Sequence, residues 1–184
     1  MNIVVVPFCS EGYYCRPDTT LEKEGKDYYV PECATELSVA PVVFVRIAKA
    51  GKSISEKFAQ RYYDSFGSGL LIYAENIILG ETPTSFSQAS SLDASSYLPF
   101  DFAPVSALAD FSCKLKINGT DAVDMSVDDT ILPYINEFIE LISSRTSLRI
   151  GDVIAFETFD RVPVKIGDEI SIVSSFKEFS FCIK

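Results

Sequence analysis

Proton transfer in hydrolytic and lytic sites is most often the work of an imidazole, and this chain of 184 residues contains no histidine. Its five cysteines, Cys9, Cys15, Cys33, Cys113 and Cys182, therefore lack the usual base that makes a thiol nucleophilic. A catalytic role for Cys9 or Cys15 would need another route to a lowered pKa. Their odd number and irregular spacing match neither a paired zinc motif nor a secreted disulfide framework, which favours reduced structural thiols. Carboxylates are the remaining chemistry: Asp18, Glu75, Asp93 and Glu157 offer the hard oxygen donors that, with water, suffice for magnesium or calcium. On a chain with 26 acidic and 16 basic residues, solvated surface groups are the simpler reading. Gly67-Ser68-Gly69 has the small residues of a phosphate loop but neither a following lysine nor a helix pattern behind it, so the match is weak.

The formal charge of -10 and the lack of any basic stripe argue against a nucleic-acid partner. Met1 to Pro7 lack the basic leader and long apolar run of an export signal, and no stretch is long enough to span a bilayer. The expectation is a cytoplasmic protein without a membrane partner. At 47% hydrophobic, residues 1–184 suit one domain with a substantial core. Abundant Val and Ile, with Gly and Pro spread along the chain, predict a strand-rich architecture.

The elements that must position any site follow from the apolar pattern. Ile3 to Val6 is a continuous apolar run that suits a strand buried on both faces. Asp27 to Val30 reads as a strand stopped by Pro31, and Ala40 to Ile47 as a central strand. Ser53 or Ser55 would cap a helix carrying Phe58, Tyr62 and Phe66 at a spacing of four. Gly69 to Ala74 is a further strand, followed by a Ser-rich stretch from Thr82 to Ser96 that reads as a long loop. Phe111, Cys113, Leu115 and Ile117 alternate up to Asn118-Gly119, a hairpin signal, and Ala122 to Met125 returns. The sequon Asn118-Gly119-Thr120 is thus a turn rather than a glycan acceptor. Ile131, Leu132, Ile135, Phe138, Ile139 and Ile142 define a helix face whose start is offered by Asp128, Asp129 or Thr130, with Pro133 in its first turn. Two phrases, Leu148 to Ile154 and Val164 to Ile170, each place a Gly-Asp turn between an apolar approach and a new strand. Ser171 to Val173 and Phe179 to Ile183 close the chain as strands.

Those paired Gly-Asp phrases resemble the closing region of the fumarylacetoacetate hydrolase family. Cys15-Arg16-Pro17-Asp18-Thr19-Thr20 and Gly25-Lys26-Asp27-Tyr28-Tyr29-Val30-Pro31 are similar to the family's early Lys-Pro-x-Ser stretch, glycine turn and next strand. Val45-Arg46-Ile47, with Ser53 to Ala59 and Tyr62-Tyr63-Asp64, resembles its central strand and following helix. Leu92-Asp93-Ala94-Ser95 and Phe100-Asp101-Phe102-Ala103 are similar to its Phe-Asp-Gly-Ser and Gly-Asp-Phe-Val phrases. The matches run in order from Cys15 to Lys184.

The resemblance implies an α+β, mainly β fold, a mixed β-roll or β-sandwich with a few short helices. It also implies an active site in which a divalent cation and a lysine stabilise the negative charge that develops on enol oxygens. The family's Glu-x-Glu pair falls on Ala40 and Val42, its third carboxylate on Leu71, and its lysine near Ser90. Its Gly-Thr-Pro loop becomes Glu157-Thr158-Phe159, and the His and Glu of its lid are replaced by Cys9-Ser10-Glu11-Gly12. No catalytic residue and no metal ligand is therefore expected. Arg16, Thr19, Asp93 and Ser95 stand where the resemblance places pocket-lining groups and are the expected substrate-binding residues of a relict pocket; the plainer reading is that they close turns and pair locally. The sequence thus predicts a noncatalytic relative with a binding or assembly role and no cofactor. The alternative is a magnesium- or manganese-dependent hydrolase or decarboxylase of β-dicarbonyl compounds with a rebuilt site. Members of the family commonly form dimers, which implies a homodimer or a heteromer with an intact relative.

Overall fold

The computed structural model describes residues 1–78, 82–126 and 130–184. The strands are β1 (Ile3–Val6), β2 (Tyr14–Arg16), β3 (Leu21–Glu22), β4 (Leu37–Ile47), β5 (Tyr63–Ala74), β6 (Ser96–Tyr97), β7 (Ala103–Pro104), β8 (Ser112–Ile117), β9 (Thr120–Ser126), β10 (Val153–Glu157), β11 (Val162–Val164), β12 (Glu169–Ser174) and β13 (Glu178–Cys182). The helices are α1 (Glu75–Ile78), α2 (Pro83–Ala89) and α3 (Ile131–Arg145), with 3-10 turns at Asp18–Thr20, Glu56–Arg61 and Val105–Asp110. The larger sheet runs β2-β1-β10-β4-β5-β6-β3, with β11 added to β4 and β7 to β5; the smaller runs β13-β12-β8-β9. The mainly β architecture with short helices is the one the sequence predicts.

Both long strands are buried on two faces. Along β4, Val39, Val43, Val45 and Ile47 join one apolar cluster while Ala40, Val42 and Phe44 join another, the period of two expected of a pleated strand. Pro41 sits inside this central strand, where a proline ordinarily breaks a ladder. Its carbonyl accepts from the Thr158 N–H, and a strand residue directs N–H and C=O to the same side. Its missing donor thus faces the gap between β10, which pairs Val42 to Arg46, and β11, which pairs Leu37 to Val39. In β5, a Cβ on Gly67 would fall 2.6 Å from the Phe44 ring, and one on Gly69 would fall 2.4 Å from the Tyr97 carbonyl oxygen. Gly67-Ser68-Gly69 is therefore strand interior shaped by close packing, not a phosphate loop.

The two Gly-Asp turns use one device. Gly151 and Gly167 have φ of 89° and 95°, and each buried Asp accepts from the N–H three residues back, Arg149 to Asp152 at 2.8 Å and Lys165 to Asp168 at 2.9 Å. Asp152 also takes the Asn2 N–H at 2.8 Å, which aligns β1 parallel to β10. Asp168 takes Asn118 Nδ2 at 2.9 Å, tying in the β8–β9 hairpin, whose Asn118-Gly119 tip has φ of 52° and 78° as a two-residue turn requires.

Three predicted elements are corrected. The helix drawn through Phe58, Tyr62 and Phe66 is a 3-10 turn that ends at Arg61, and Phe66 lies in β5. Gly67, Gly69 and the full-length pairing with β4 outweigh a spacing of four, because glycine weakens a helix and ladder pairing rewards the strand. The loop drawn from Thr82 to Ser96 contains α2, opened by a capping box between Thr82 and Ser85 with Pro83 in its first turn. Asp27 to Val30 meets the last residues through the isolated Tyr28 and Ile183 bridge, with the Tyr28 and Val30 N–H groups donating to the Cys182 and Lys184 carbonyls, so it is no full strand. The helix α3 forms as predicted and buries Ile135, Phe138, Ile139 and Ile142; Asp128 and Asp129 lie outside the described residues. The five cysteines are free thiols. Among the described residues no helix is long and apolar enough to cross a membrane.

Candidate functional site

Strands β4 and β5 bring Ala40 and Leu71 into direct register. Together with Val42 they are fully buried in an apolar cluster with Ile3, Val5, Val153 and Ala155. None of these side chains carries an oxygen, so the place expected to hold a divalent cation does not fit one. The alternative acidic set does not assemble either. Asp18 and Asp93 are exposed, and among the described residues no three His, Cys, Asp or Glu side chains gather as metal ligands. Ser90, at the lysine position, is buried and donates back to the Phe86 carbonyl at 2.9 Å.

Beside this apolar patch lies a buried polar network. Arg16, at the end of β2, is only 2% exposed. Its Nη1 donates to the carbonyl and hydroxyl of Ser95, both at 3.2 Å, and to the Ser96 hydroxyl at 3.3 Å. Nη2 reaches the Ile72 carbonyl at 3.1 Å, and Nε the Tyr14 hydroxyl at 3.3 Å. Tyr73 donates to Glu157 Oε1, and the Tyr14 and Tyr73 hydroxyls are bonded to each other. With the Tyr73 proton committed to Glu157, Tyr14 must donate to Tyr73, so a directed relay runs from guanidinium to Tyr14, Tyr73 and carboxylate. Glu157 Oε2 accepts the Phe8 N–H at 3.2 Å.

The electrostatics follow the burial. Desolvation alone would lower the Arg16 pKa, but its electrostatic interactions and hydrogen bonds with Tyr14 and Tyr73 more than offset it, so the guanidinium holds its proton more tightly than ordinary arginine. Burial raises the pKa of Tyr14 and, further, that of Tyr73, because a phenolate would lose its hydration there. A second guanidinium, Arg161, pairs with Glu75 at 2.9 Å. Arg16 and Arg161 lie 4.4 and 5.0 Å from the centroid of the Tyr73 ring, a cation–π geometry. Phe86, supplied by α2, meets Tyr14 edge-on at 4.9 Å and packs against the same patch.

Of the four predicted pocket residues, the structure brings Arg16 and Ser95 together. Thr19 is exposed and contributes its carbonyl to the Ala94 N–H at 3.1 Å, and Asp93 is exposed. Tyr14 and Tyr73 were not legible as site residues, since a tyrosine in an apolar run reads as core. Glu157 was legible only as one acid among many. Its position directly after the buried run Val153 to Phe156 is the signal that marks it, since a carboxylate there ends a strand whose neighbours are dry.

The sequence matches no family model and no curated protein. The fold has clear counterparts among solved structures. Fumarylpyruvate hydrolase from Pseudomonas aeruginosa, solved with Mn2+ and pyruvate, superposes with a TM-score of 0.86 at 14% identity, covering 100% of this chain and 89% of that one. A candidate fumarylacetoacetate hydrolase family protein from Yersinia pestis CO92 gives 0.82 at 20% identity over 100% and 92% of the two chains. The 5-carboxymethyl-2-hydroxymuconate delta-isomerase from Mycobacterium smegmatis gives 0.85 at 15% identity over 99% and 78%. The chain has the fold of the fumarylacetoacetate hydrolase proteins.

Proposed function

We propose that this protein is a noncatalytic member of the fumarylacetoacetate hydrolase family that serves in binding or assembly. The observation that carries the reading is the position of Arg16. Its guanidinium bonds the carbonyl of Ile72, the residue after Leu71, so a fixed positive charge adjoins the position expected to ligate a cation. That charge opposes a divalent ion at short range in a poorly screened interior. Apolar side chains at Ala40, Val42 and Leu71 remove the donors, and Arg16 adds repulsion. Tyr73 of the relay belongs to the same apolar cluster, and Tyr14 and Phe86 pack against it.

The remaining residues suit retention rather than turnover. Arg16 and Ser95 hold the 92–96 segment against β2, and Thr158 donates N–H and hydroxyl to the Pro41 carbonyl at 3.0 and 3.1 Å. The partner in the assembly reading is a second copy or an intact relative. The test is direct: purified protein is assayed with oxaloacetate and acylpyruvates in the presence of magnesium or manganese, and Mn2+ binding is followed by electron paramagnetic resonance. The expected result is no metal-dependent turnover and no bound Mn2+; saturable turnover that needs either metal overturns the reading. Light scattering after gel filtration, and co-purification with a catalytic relative, measure the assembly.

A further inference from the structure

The outer end of the relay opens onto a cavity of about 480 Å³, within the range of small-molecule sites. Its walls include Phe8, Tyr134 and Phe156, the hydroxyls of Ser126 and Thr158, and the Glu157 carboxylate; its described lining residues include no Lys or Arg. Phe8 and Glu157 also border a neighbouring cavity of about 290 Å³, where Asp160 adds a second carboxylate. The cation there, Arg161, is already paired with Glu75. On the other side, Tyr134 is shared with a third cavity bordered by Glu11, Glu137 and Glu140. Phe8 stacks on Phe159, with 38% and 44% of their surface exposed.

This lining selects a charge type. Among the described lining residues, an anion would meet Glu157 and no basic group, and a bare metal ion would find one carboxylate among aromatic rings. An alkylated ammonium ion suits the Phe8 and Tyr134 walls, because its charge interacts with ring quadrupoles while its alkyl groups cover apolar surface. Each Glu157 oxygen accepts one hydrogen bond from the protein and retains a lone pair for a cation. We propose that the cavity bounded by Phe8, Tyr134 and Glu157 binds a small organic monocation of the alkylated ammonium class, with Glu157 as its counter-ion. This goes beyond the noncatalytic reading and stands whether or not the chain turns over a substrate.

The probe is choline, compared with its uncharged isostere 3,3-dimethylbutan-1-ol, each titrated into the full chain and followed by amide chemical shifts. Choline is expected to shift Phe8, Tyr134 and Thr158 saturably and to bind at least about tenfold more tightly than the alcohol, the range of a partly desolvated cation–π contact with a carboxylate. Glu157→Gln keeps an acceptor for Tyr73 and should weaken choline about tenfold, while Tyr134→Leu and Phe8→Leu should each weaken it roughly threefold. Phe8 is partly exposed, so its variant keeps the test open if Glu157→Gln does not fold. Glu178→Gln, on the far sheet, should change nothing. Equal affinity for choline and the alcohol overturns the proposal, as does equal weakening by Glu178→Gln, which would mean attraction to the general negative charge. No saturable shift up to about 50 mM choline overturns it too, being weaker than the millimolar binding such a cavity should give.

Discussion

The two faces of β4 and β5 are built from alternate residues of the same strands, yet they solve different problems. On one, Val39, Val43, Val45, Leu70 and Ile72 pack with Ile135, Ile139 and Ile142 of α3 and with Leu115, Ile170 and Ile172 of the smaller sheet. On the other, Ala40, Val42 and Leu71 run into a buried guanidinium and two phenols. The first face is held by area removed from water and tolerates small adjustments. The second is held by a chain of directional bonds in which each member leaves its neighbour unsatisfied if removed. A polar interior of this kind contributes little net stability when whole and costs much when one member is removed.

Alkali is expected to break the contrast most strongly, because it acts on several groups together. Burial raises the folded-state pKa of Tyr14 and Tyr73 and pushes Tyr28 and Tyr63 up to about 12, against 10.0 without burial. A raised phenol contributes stability that is complete below the unfolded value and is lost as pH climbs through the folded one. Urea midpoints should thus be flat up to about pH 9 and fall steeply between about 10 and 12, with phenolate absorbance appearing as the chain unfolds; ionisation of every tyrosine near pH 10 in a folded chain would contradict the burial. Next in size is Arg16→Ala, expected to cost about 4 kcal/mol in urea denaturation by emptying a buried site and removing the donor to the Ser95, Ser96 and Ile72 oxygens. Leu70→Ala on the apolar face should cost about 3 kcal/mol through its cavity. If the two swapped order by a wide margin, the polar face would be the softer one.

Tyr73→Phe sharpens the same comparison at about 2 kcal/mol, since it breaks the relay without changing the ring beside Arg16 and Arg161. A loss below about 0.5 kcal/mol would mean that the relay is idle. Smallest is Thr82→Ala, expected to cost about 1 kcal/mol by removing the α2 cap, with fraying of Phe86 from Tyr14 visible as sharper aromatic resonances.

What was legible in the sequence divides along the same line. The apolar face announces itself: β4, the α3 stripe, the Asn118-Gly119 turn and both Gly-Asp turns follow from periodicity and from residues that readily adopt positive φ. The polar face does not. Arg16 and Ser95 emerged only through the order of motifs, and Tyr14 and Tyr73 carry the same signature as core aromatics. Helix α2 was hidden by its serines, although Thr82-Pro83-Thr84-Ser85 holds a capping box that composition obscured. The early end of the 56–61 turn was hidden because a spacing of four also suits alternate strand residues, and Gly67 and Gly69 come only after Phe66.

The one-way arrangement of hydroxyl protons from Arg16 to Glu157 makes the interior a listener to the surface. Whatever draws on the lone pairs of Glu157 weakens its hold on Tyr73, and the readjustment passes inward, bond by bond, to a guanidinium that solvent hardly touches. The Arg16 Nε–H resonance is therefore a natural gauge of occupancy at the rim, and Tyr73→Phe should silence it.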